Sequence, residues 1–346
     1  MDSGQLGPVS AIPATGRQSL KMVPIRLPGK AADIAASGYT SYALLEDGTV
    51  VAWGRGDVGQ LGIGGAGTKG SETPVRVSGL ANVTQIAASG GMALALLKDG
   101  TVRAWGSRQS GMLGDGLDPK RYLETGPPAL SPVPVPNVSN ITQISAGGGH
   151  VLALTASGHV IAWGSNYNGA LGRPPRRELP MDEAAEVPGL TGVVSVAAGN
   201  VLSTVLKKDG TVWAWGSNEA GQFGNGQRSD SVGVNSGWEL IPQQVPGVSN
   251  VIAISLGGRH TLALLKDGTL RGWGNTDWGQ LGGGVSGAFQ EKPMTPKITG
   301  VKAVFGVGNN SYAIRTDDTL WAWGSGGRDE PLLPTNTKLP VKLDLK

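Results

Sequence analysis

Hydrophobic and polar positions change over in short bursts along this chain, with no helical period. Gln85–Gly114 reads Q-I-A-A-S-G-G-M-A-L-A-L-L-K-D-G-T-V-R-A-W-G-S-R-Q-S-G-M-L-G. Short apolar runs bounded by Gly, Asp and Ser are the pattern of strands joined by tight turns. The passage predicts a first strand of small residues around Ile86-Ala87-Ala88 and a second over Ala93–Leu97. A turn at Asp99-Gly100 leads to a third strand that ends in Ala104-Trp105-Gly106. After a Gly-rich connection a fourth strand closes the unit, as Val75-Arg76-Val77 does in the copy before. The Asp-Gly pairs at 47–48, 99–100, 209–210 and 267–268 predict two-residue type I′ hairpins, in which both central residues take φ > 0. Ser157-Gly158 and Asp317-Asp318 stand at that turn in the two remaining copies.

The same unit is written six times. Trp-Gly recurs at Trp53, Trp105, Trp163, Trp215, Trp273 and Trp323, about every 54 residues. Four-stranded units of even length predict an all-β chain, a β-propeller of four-stranded antiparallel blades. Small residues in the first strand suit the crowded axis, and the six Trp side chains are expected between neighbouring blades. Truncating one of them should cost about 3–5 kcal/mol. The expected organisation is a single domain over 1–346, with six full blades in 31–346 and a partial first repeat in 1–30. That partial repeat starts inside a motif (Gly4-Gln5-Leu6-Gly7) and ends in an orphan outer strand, Val23–Leu27. Either six blades close the ring, or the chain is a piece of a longer protein that supplied the other three strands, which the mid-motif start favours.

The repeat resembles a known family. The pattern A-x-G-x-x-H-x-L-A-L-x-x-D-G-x-V-x-x-W-G-x-N-x-x-G-Q-L-G is similar to the regulator-of-chromosome-condensation repeat, and Gly257–Gly282 matches it best. The resemblance covers nearly the whole chain and implies a propeller, usually of seven blades. It also implies a range of roles. The founding member is a nucleotide exchange factor for a small nuclear GTPase and binds chromatin. A bacterial relative inhibits β-lactamases through an aromatic-lined face, which the Gly, Val, Arg and Asn of these first turns do not reproduce. The wording of the repeats, as in Asp209–Asn218 (D-G-T-V-W-A-W-G-S-N), resembles bacterial members.

Composition narrows the chemistry. With no Cys among 346 residues, disulfides, thiol nucleophiles and thiolate metal sites are excluded. Charged residues are 16%, and 29 Lys and Arg nearly balance 26 Asp and Glu, so the average field is weak for a nucleic-acid binder. No apolar run is long enough to span a membrane as a helix. Met1–Gln5 carries neither a basic stretch nor an apolar one that would mark a secretion signal, and the compartment is left open. His150 and His260 fall at a repeat position that also holds Met92 and Leu202, so they read as packing residues, and His159 reads as exposed. Asp115 and Asp118 lack the spacing of a calcium loop. No acid–base pair, nucleophile or phosphate loop is evident, and no cofactor is expected.

Binding is therefore the expected function. In an antiparallel blade the turn between strands one and two and the connection between strands three and four emerge at the same end. The latter connections are long and differ from copy to copy, as recognition loops on a rigid frame do. They hold Trp278, Tyr167, Trp238 and Tyr122, while Tyr39 and Arg259 occupy first turns. Exposed aromatic and Arg side chains are the usual anchors of interfaces. Arg108, Arg176 and Arg177 form a basic group on the same face, partly offset by Glu178, Asp182, Glu183 and Glu186. The expected partner is another protein. A glycan stacked on Trp and Tyr is the alternative, nucleic acid is disfavoured, and an exchange-factor or chromatin role follows only from the resemblance.

Overall fold

The computed structural model describes residues 24–65, 70–117, 127–166, 168–174, 183–228, 238–287, 289–326, 333 and 335–344. Each repeat folds into one sheet. Sheet 1 contains β1 (Ala31–Ser37), β2 (Thr40–Leu45), β3 (Val50–Arg55) and β4 (Gly70–Arg76). Sheet 2 contains β5 (Val83–Ser89), β6 (Met92–Leu97), β7 (Val102–Gly106) and β8 (Ala129–Pro134). Sheet 3 contains β9 (Ile141–Ala146), β10 (His150–Thr155), β11 (Val160–Gly164) and β12 (Ala185–Glu186). Sheet 4 contains β13 (Val193–Ala198), β14 (Leu202–Lys207), β15 (Val212–Ser217) and β16 (Trp238–Gln244). Sheet 5 contains β17 (Val251–Leu256), β18 (His260–Leu265), β19 (Leu270–Asn275) and β20 (Phe289–Met294). Sheet 6 contains β21 (Val301–Val307), β22 (Asn310–Arg315), β23 (Leu320–Gly324) and β24 (Thr337–Lys342).

Within every sheet the strands follow chain order and pair antiparallel, so the molecule is all-β with six four-stranded propeller blades. Among the described residues the only helical turn is the 3-10 turn Gln109–Gly111. The chain divides into two units. Residues 1–166 and 175–187 carry sheets 1–3, and residues 167–174 and 188–346 carry sheets 4–6. Second strands are buried on both faces, which is why they read as unbroken apolar runs such as Met92-Ala93-Leu94-Ala95-Leu96.

The Asp-Gly turns differ from the expected type I′ form. Leu45 N–H donates to Thr49 O (2.8 Å) and Gly48 N–H to Leu45 O (2.9 Å), so the turn holds three residues, Glu46-Asp47-Gly48. It is a type I turn followed by one left-handed glycine. Only that glycine has positive φ, from 76° to 79° at Gly48, Gly100, Gly210 and Gly268. Ser157-Gly158 takes the same form, with Gly158 N–H donating to Thr155 O (3.0 Å) at φ 80°, and in the other copies the aspartate side chain supports it. Asp47 Oδ1 accepts from Thr49 N–H (2.9 Å) and Thr49 Oγ1 (2.7 Å), which holds Asp47 in a local turn of its own. The arrangement repeats at Asp99, Asp209, Asp267 and Asp317, and the threonine bonds hold these carboxyls below the usual range. In sheet 6 the left-handed place is taken by Asp318 at φ 62°.

In sheets 2 to 6 the Trp of Trp-Gly joins the sheet to the loop of the sheet before it. In the first unit Trp105 Nε1 donates to Gln60 O (2.8 Å) and Trp163 Nε1 to Met112 O (3.0 Å). In the second unit Trp215 donates to Ala170 O (2.8 Å), Trp273 to Gln222 O (2.6 Å) and Trp323 to Gln280 O (2.8 Å). The glycine two places after the acceptor lies under the indole at Gly62, Gly114, Gly224 and Gly282. A Cβ added at Gly62 or Gly114 would stand 2.8 or 2.7 Å from the ring of Trp105 or Trp163. The motif Gln-Leu-Gly is thus a socket for the Trp-Gly of the next sheet. These five Trp residues and Trp53 of sheet 1 are all buried.

His150 and His260 are fully buried, and burial pulls each imidazole down to about 4. Ser311 Oγ donates to Gln280 O (2.7 Å), so His260 donates its Nε2–H to that hydroxyl (2.9 Å) and is neutral. His159 lies at the surface beside Glu186, with Nδ1 2.7 Å from Oε1. The segment expected as an orphan strand is described from Pro24. Pro24–Leu27 pairs with no described strand, but Ile25 and Leu27 pack on Ala43, Leu45, Val51 and Trp53.

Candidate binding face

The first turn and the long connection of each sheet emerge at one end, as the antiparallel order requires. In sheet 5 this end brings together two of the expected residues. Asn275 N–H donates to Arg259 O (2.9 Å), tying the first turn to the base of the loop that carries Trp278. Trp278 is 43% exposed, and the Arg259 side chain is also exposed. Val285, further along the same loop, is exposed as well.

Trp278 stands on a braced pedestal. Its N–H donates to Gln280 Oε1 (2.9 Å), and Gln280 Nε2 donates to Asn275 Oδ1 (2.6 Å). Asn275 Nδ2 in turn donates to Asp277 Oδ2 (2.8 Å). Gly279, at φ 81°, lies so close to Lys338 of β24 that a Cβ would meet its Cα at 2.6 Å. The loop is therefore clamped onto sheet 6. The brace recurs as Gln60 Oε1 to Val58 N–H and Gln222 Oε1 to Ala220 N–H. The spacing that encodes it, a Gln two residues after the braced amide, is visible in the sequence, but its role was not anticipated.

The first unit repeats the arrangement with different side chains. Tyr39 is 54% exposed, and Arg55 lies over its ring with the guanidinium carbon 5.8 Å from the centroid. Arg55 N–H donates to Tyr39 O (2.8 Å). Its guanidinium grips Asp57 through Nε (2.7 Å) and Nη2 (2.5 Å), which holds the Asp57 carboxyl below its usual range.

Arg108 has a different environment from the exposed one expected. It is 8% exposed, and its side chain bridges Asp115 Oδ2 (2.7 Å) and the Pro127 carbonyl. It therefore staples its own loop, and it also occupies the carboxylate of Asp115. Trp238 opens β16, where its backbone pairs with Ser217. Tyr122, Tyr167, Arg176 and Arg177 lie outside the described residues. Trp213 and Trp321 are half-buried, covered by Lys207 (4.5 Å) and Arg315 (5.7 Å). Among the described residues no cluster of His, Asp and Glu could hold a metal ion. Among the described residues no helix is long and apolar enough to cross a membrane.

Comparison with known proteins agrees with this build. The chain is 29% identical over 282 residues to the ultraviolet-B receptor UVR8 of Arabidopsis thaliana, covering 80% of this chain and 61% of the receptor. It thus spans about three-fifths of that relative's length. It is 27% identical to the guanine nucleotide exchange factor SRM1 of Saccharomyces cerevisiae over 93% of this chain and 75% of that protein. The crystal structure of Kap60 bound to yeast RCC1 (Prp20) superposes with a TM-score of 0.73 at 25% identity, over 90% of this chain and 74% of that one. The pattern of the RCC1-like domain matches residues 1–344, and this chain belongs to the RCC1-like domain family.

Proposed function

We propose that this chain is a non-catalytic binding propeller that engages another protein at the end of its blades where first turns and long connections emerge. The observation that carries the reading is Trp278. At its repeat position the other copies place Val58, Ser110, Asn168 and Ala220. A large apolar side chain in solvent on a backbone braced by hydrogen bonds leaves less chain to order on binding, which favours it as an anchor. Arg259 is exposed on the same sheet, and in the other unit Tyr39 is the exposed aromatic at the corresponding end of sheet 1. The relative RCC1 (Prp20), solved with Kap60 bound, supports a protein partner. Trp238, Tyr122, Tyr167, Arg176 and Arg177 belong to the same proposal, whereas Arg108 contributes by fixing its loop.

The test compares proteins captured by the wild-type chain with those captured by Trp278→Ala and Arg259→Ala. Loss of a specific partner with an unchanged melting temperature is expected. An unchanged partner set would reject this end of the blades. A second reading, nucleotide exchange, rests on the match to SRM1 over 93% of this chain. Faster release of fluorescent GDP from a small GTPase would favour it. A glycan array reads the remaining alternative.

A further inference from the structure

Three repeat positions turn apolar together at one place, where the long connection of sheet 5 meets β24 of sheet 6. They hold Trp278, Val285 and Leu339, which are 43%, 51% and 44% exposed. The same positions hold Ala220, Gln227 and Lys292 where sheet 4 meets sheet 5, and Val58, Gly65 and Ser131 where sheet 1 meets sheet 2. The correspondence rests on a bond as well as on spacing. Gly64, Gly226 and Gly284 each donate an N–H to the residue just before the third position, at Leu130 O, Glu291 O and Lys338 O (2.8 Å in each case). The backbone draws the three side chains of the last junction onto one surface. Gly279, next to Trp278, lies against Lys338, and Gly284, next to Val285, lies against Leu339, whose Cδ2 would stand 3.4 Å from an added Cβ. A single exposed apolar residue is ordinary, but three gathered where other copies are small or polar mark a contact surface.

The charge around this surface has one sign. Lys297 Nζ lies 3.4 Å from the same added Cβ on Gly284, and the Lys297 N–H donates to Gly282 O (2.9 Å), so this lysine is tied to the loop. Lys338 takes part in the clamp itself, and Arg259 O accepts from Asn275 N–H at the base of the loop. All three cations are exposed, and among the described residues none of them forms an ion pair. Asp277 is the only acid from Asn275 to Gly287, and its Oδ2 already accepts from Asn275 Nδ2 (2.8 Å). An apolar centre edged by unpaired cations complements a partner that carries an apolar side chain among carboxylates.

We infer that this surface takes an acidic linear segment of a partner protein. One apolar side chain of the segment sits on Trp278, Val285 and Leu339, and its carboxylates face Lys297, Lys338 and Arg259. The inference rests on the protein-binding reading above and names the chemistry of the partner at that site. Apolar burial supplies the larger share of the affinity, and the cations select the sign of the partner and speed its approach.

The probe is a short fluorescein-labelled peptide with a central Leu among Asp and Glu, titrated into the full 346-residue chain and followed by anisotropy. Saturable binding that weakens as salt is raised is expected. A peptide with Lys in place of every acid, and an acidic peptide with Ser in place of the Leu, should each bind about fivefold more weakly or worse. Variants of the chain are drawn from its own repeats, so the fold is kept. Trp278→Ala, Val285→Gln and Leu339→Ser place there what other junctions hold, and together they should weaken the acidic peptide by about tenfold or more. Lys297→Glu combined with Lys338→Glu should weaken it by about tenfold at an unchanged melting temperature. Ile241→Ser, at an exposed site on β16, should change nothing. No saturable binding, indifference to salt, equal binding of the Lys or the Ser peptide, or full binding to the Lys297→Glu, Lys338→Glu variant would overturn the inference. A neutral or basic apolar peptide that binds and is lost in Trp278→Ala would overturn the acidic partner while the protein-binding reading stands. That reading fails separately, when partner capture survives Trp278→Ala and Arg259→Ala.

Discussion

At the scale of single residues, the turn of sheet 6 shows how one backbone angle governs a side-chain choice. Five copies place Gly where φ is positive, and the sixth places Asp318 at 62°. A left-handed L-residue costs about 1–2 kcal/mol, somewhat less for Asp, whose short polar side chain is tolerated there. Glycine would relieve that cost and lose about 0.5–1 kcal/mol to the greater freedom of the unfolded chain. The Lys302–Asp318 ion pair would also go, but its side chains are 44% and 82% exposed and such pairs contribute little. Asp318→Gly should therefore stabilise the chain by about 0.5 kcal/mol. The check is a higher urea midpoint with an unchanged slope, and a lower midpoint would show that the Asp side chain contributes more than its backbone costs.

At the scale of elements, the fourth strands carry a safeguard. Pro74, Pro132, Pro134, Pro242, Pro293 and Pro340 all lie within them. A proline offers no N–H, so it interrupts the donor row that a sheet edge would present to another chain. In β16 the safeguard sits beside Ile241, which is 51% exposed. Pro242→Val would extend an exposed apolar strand and restore its donor. Concentration-dependent association in sedimentation velocity is expected, with little change in melting temperature, and a strictly monodisperse variant would refute the role. The strands themselves, their order and the Trp-Gly junctions were legible in the sequence because each recurs with the repeat. What escaped was set by contacts between a side chain and nearby backbone. Asp47 bonding Thr49 supports a three-residue turn, and Gln280 bonding the Trp278 amide built a pedestal. Arg108 escaped for a related reason. A loop that folds back to bring Asp115 onto it has no period to betray the contact. Trp278 itself was legible because it breaks the repeat.

At the scale of the whole molecule, acid stability should be governed by two buried imidazoles. With net charge only +3, general repulsion is weak near neutrality. His150 and His260 titrate near 4 in the folded chain against 6.5 when unfolded, because burial excludes the charged form. Between these values the unfolded chain binds more protons than the folded one. Their contribution is thus fully present above pH 6.5 and is lost as pH falls from 6.5 toward 4. Each His adds a slope of up to about 1.4 kcal/mol per pH unit, or roughly 3 kcal/mol over the window. The turn aspartates act in a separate range, since their lowered carboxyls withdraw stability only as pH falls below the ordinary value of 3.8. The repeats themselves supply replacements. Asn310 stands at the His260 position in sheet 6, and Met92 at the His150 position in sheet 2. Urea midpoints measured from pH 7.5 to 4.5 should fall steeply for the wild type, about half as steeply for His260→Asn or His150→Met, and hardly at all for the double variant. The slope is what decides, whatever each substitution costs at neutral pH. A double variant as acid-sensitive as the wild type would move the cause to the carboxylates.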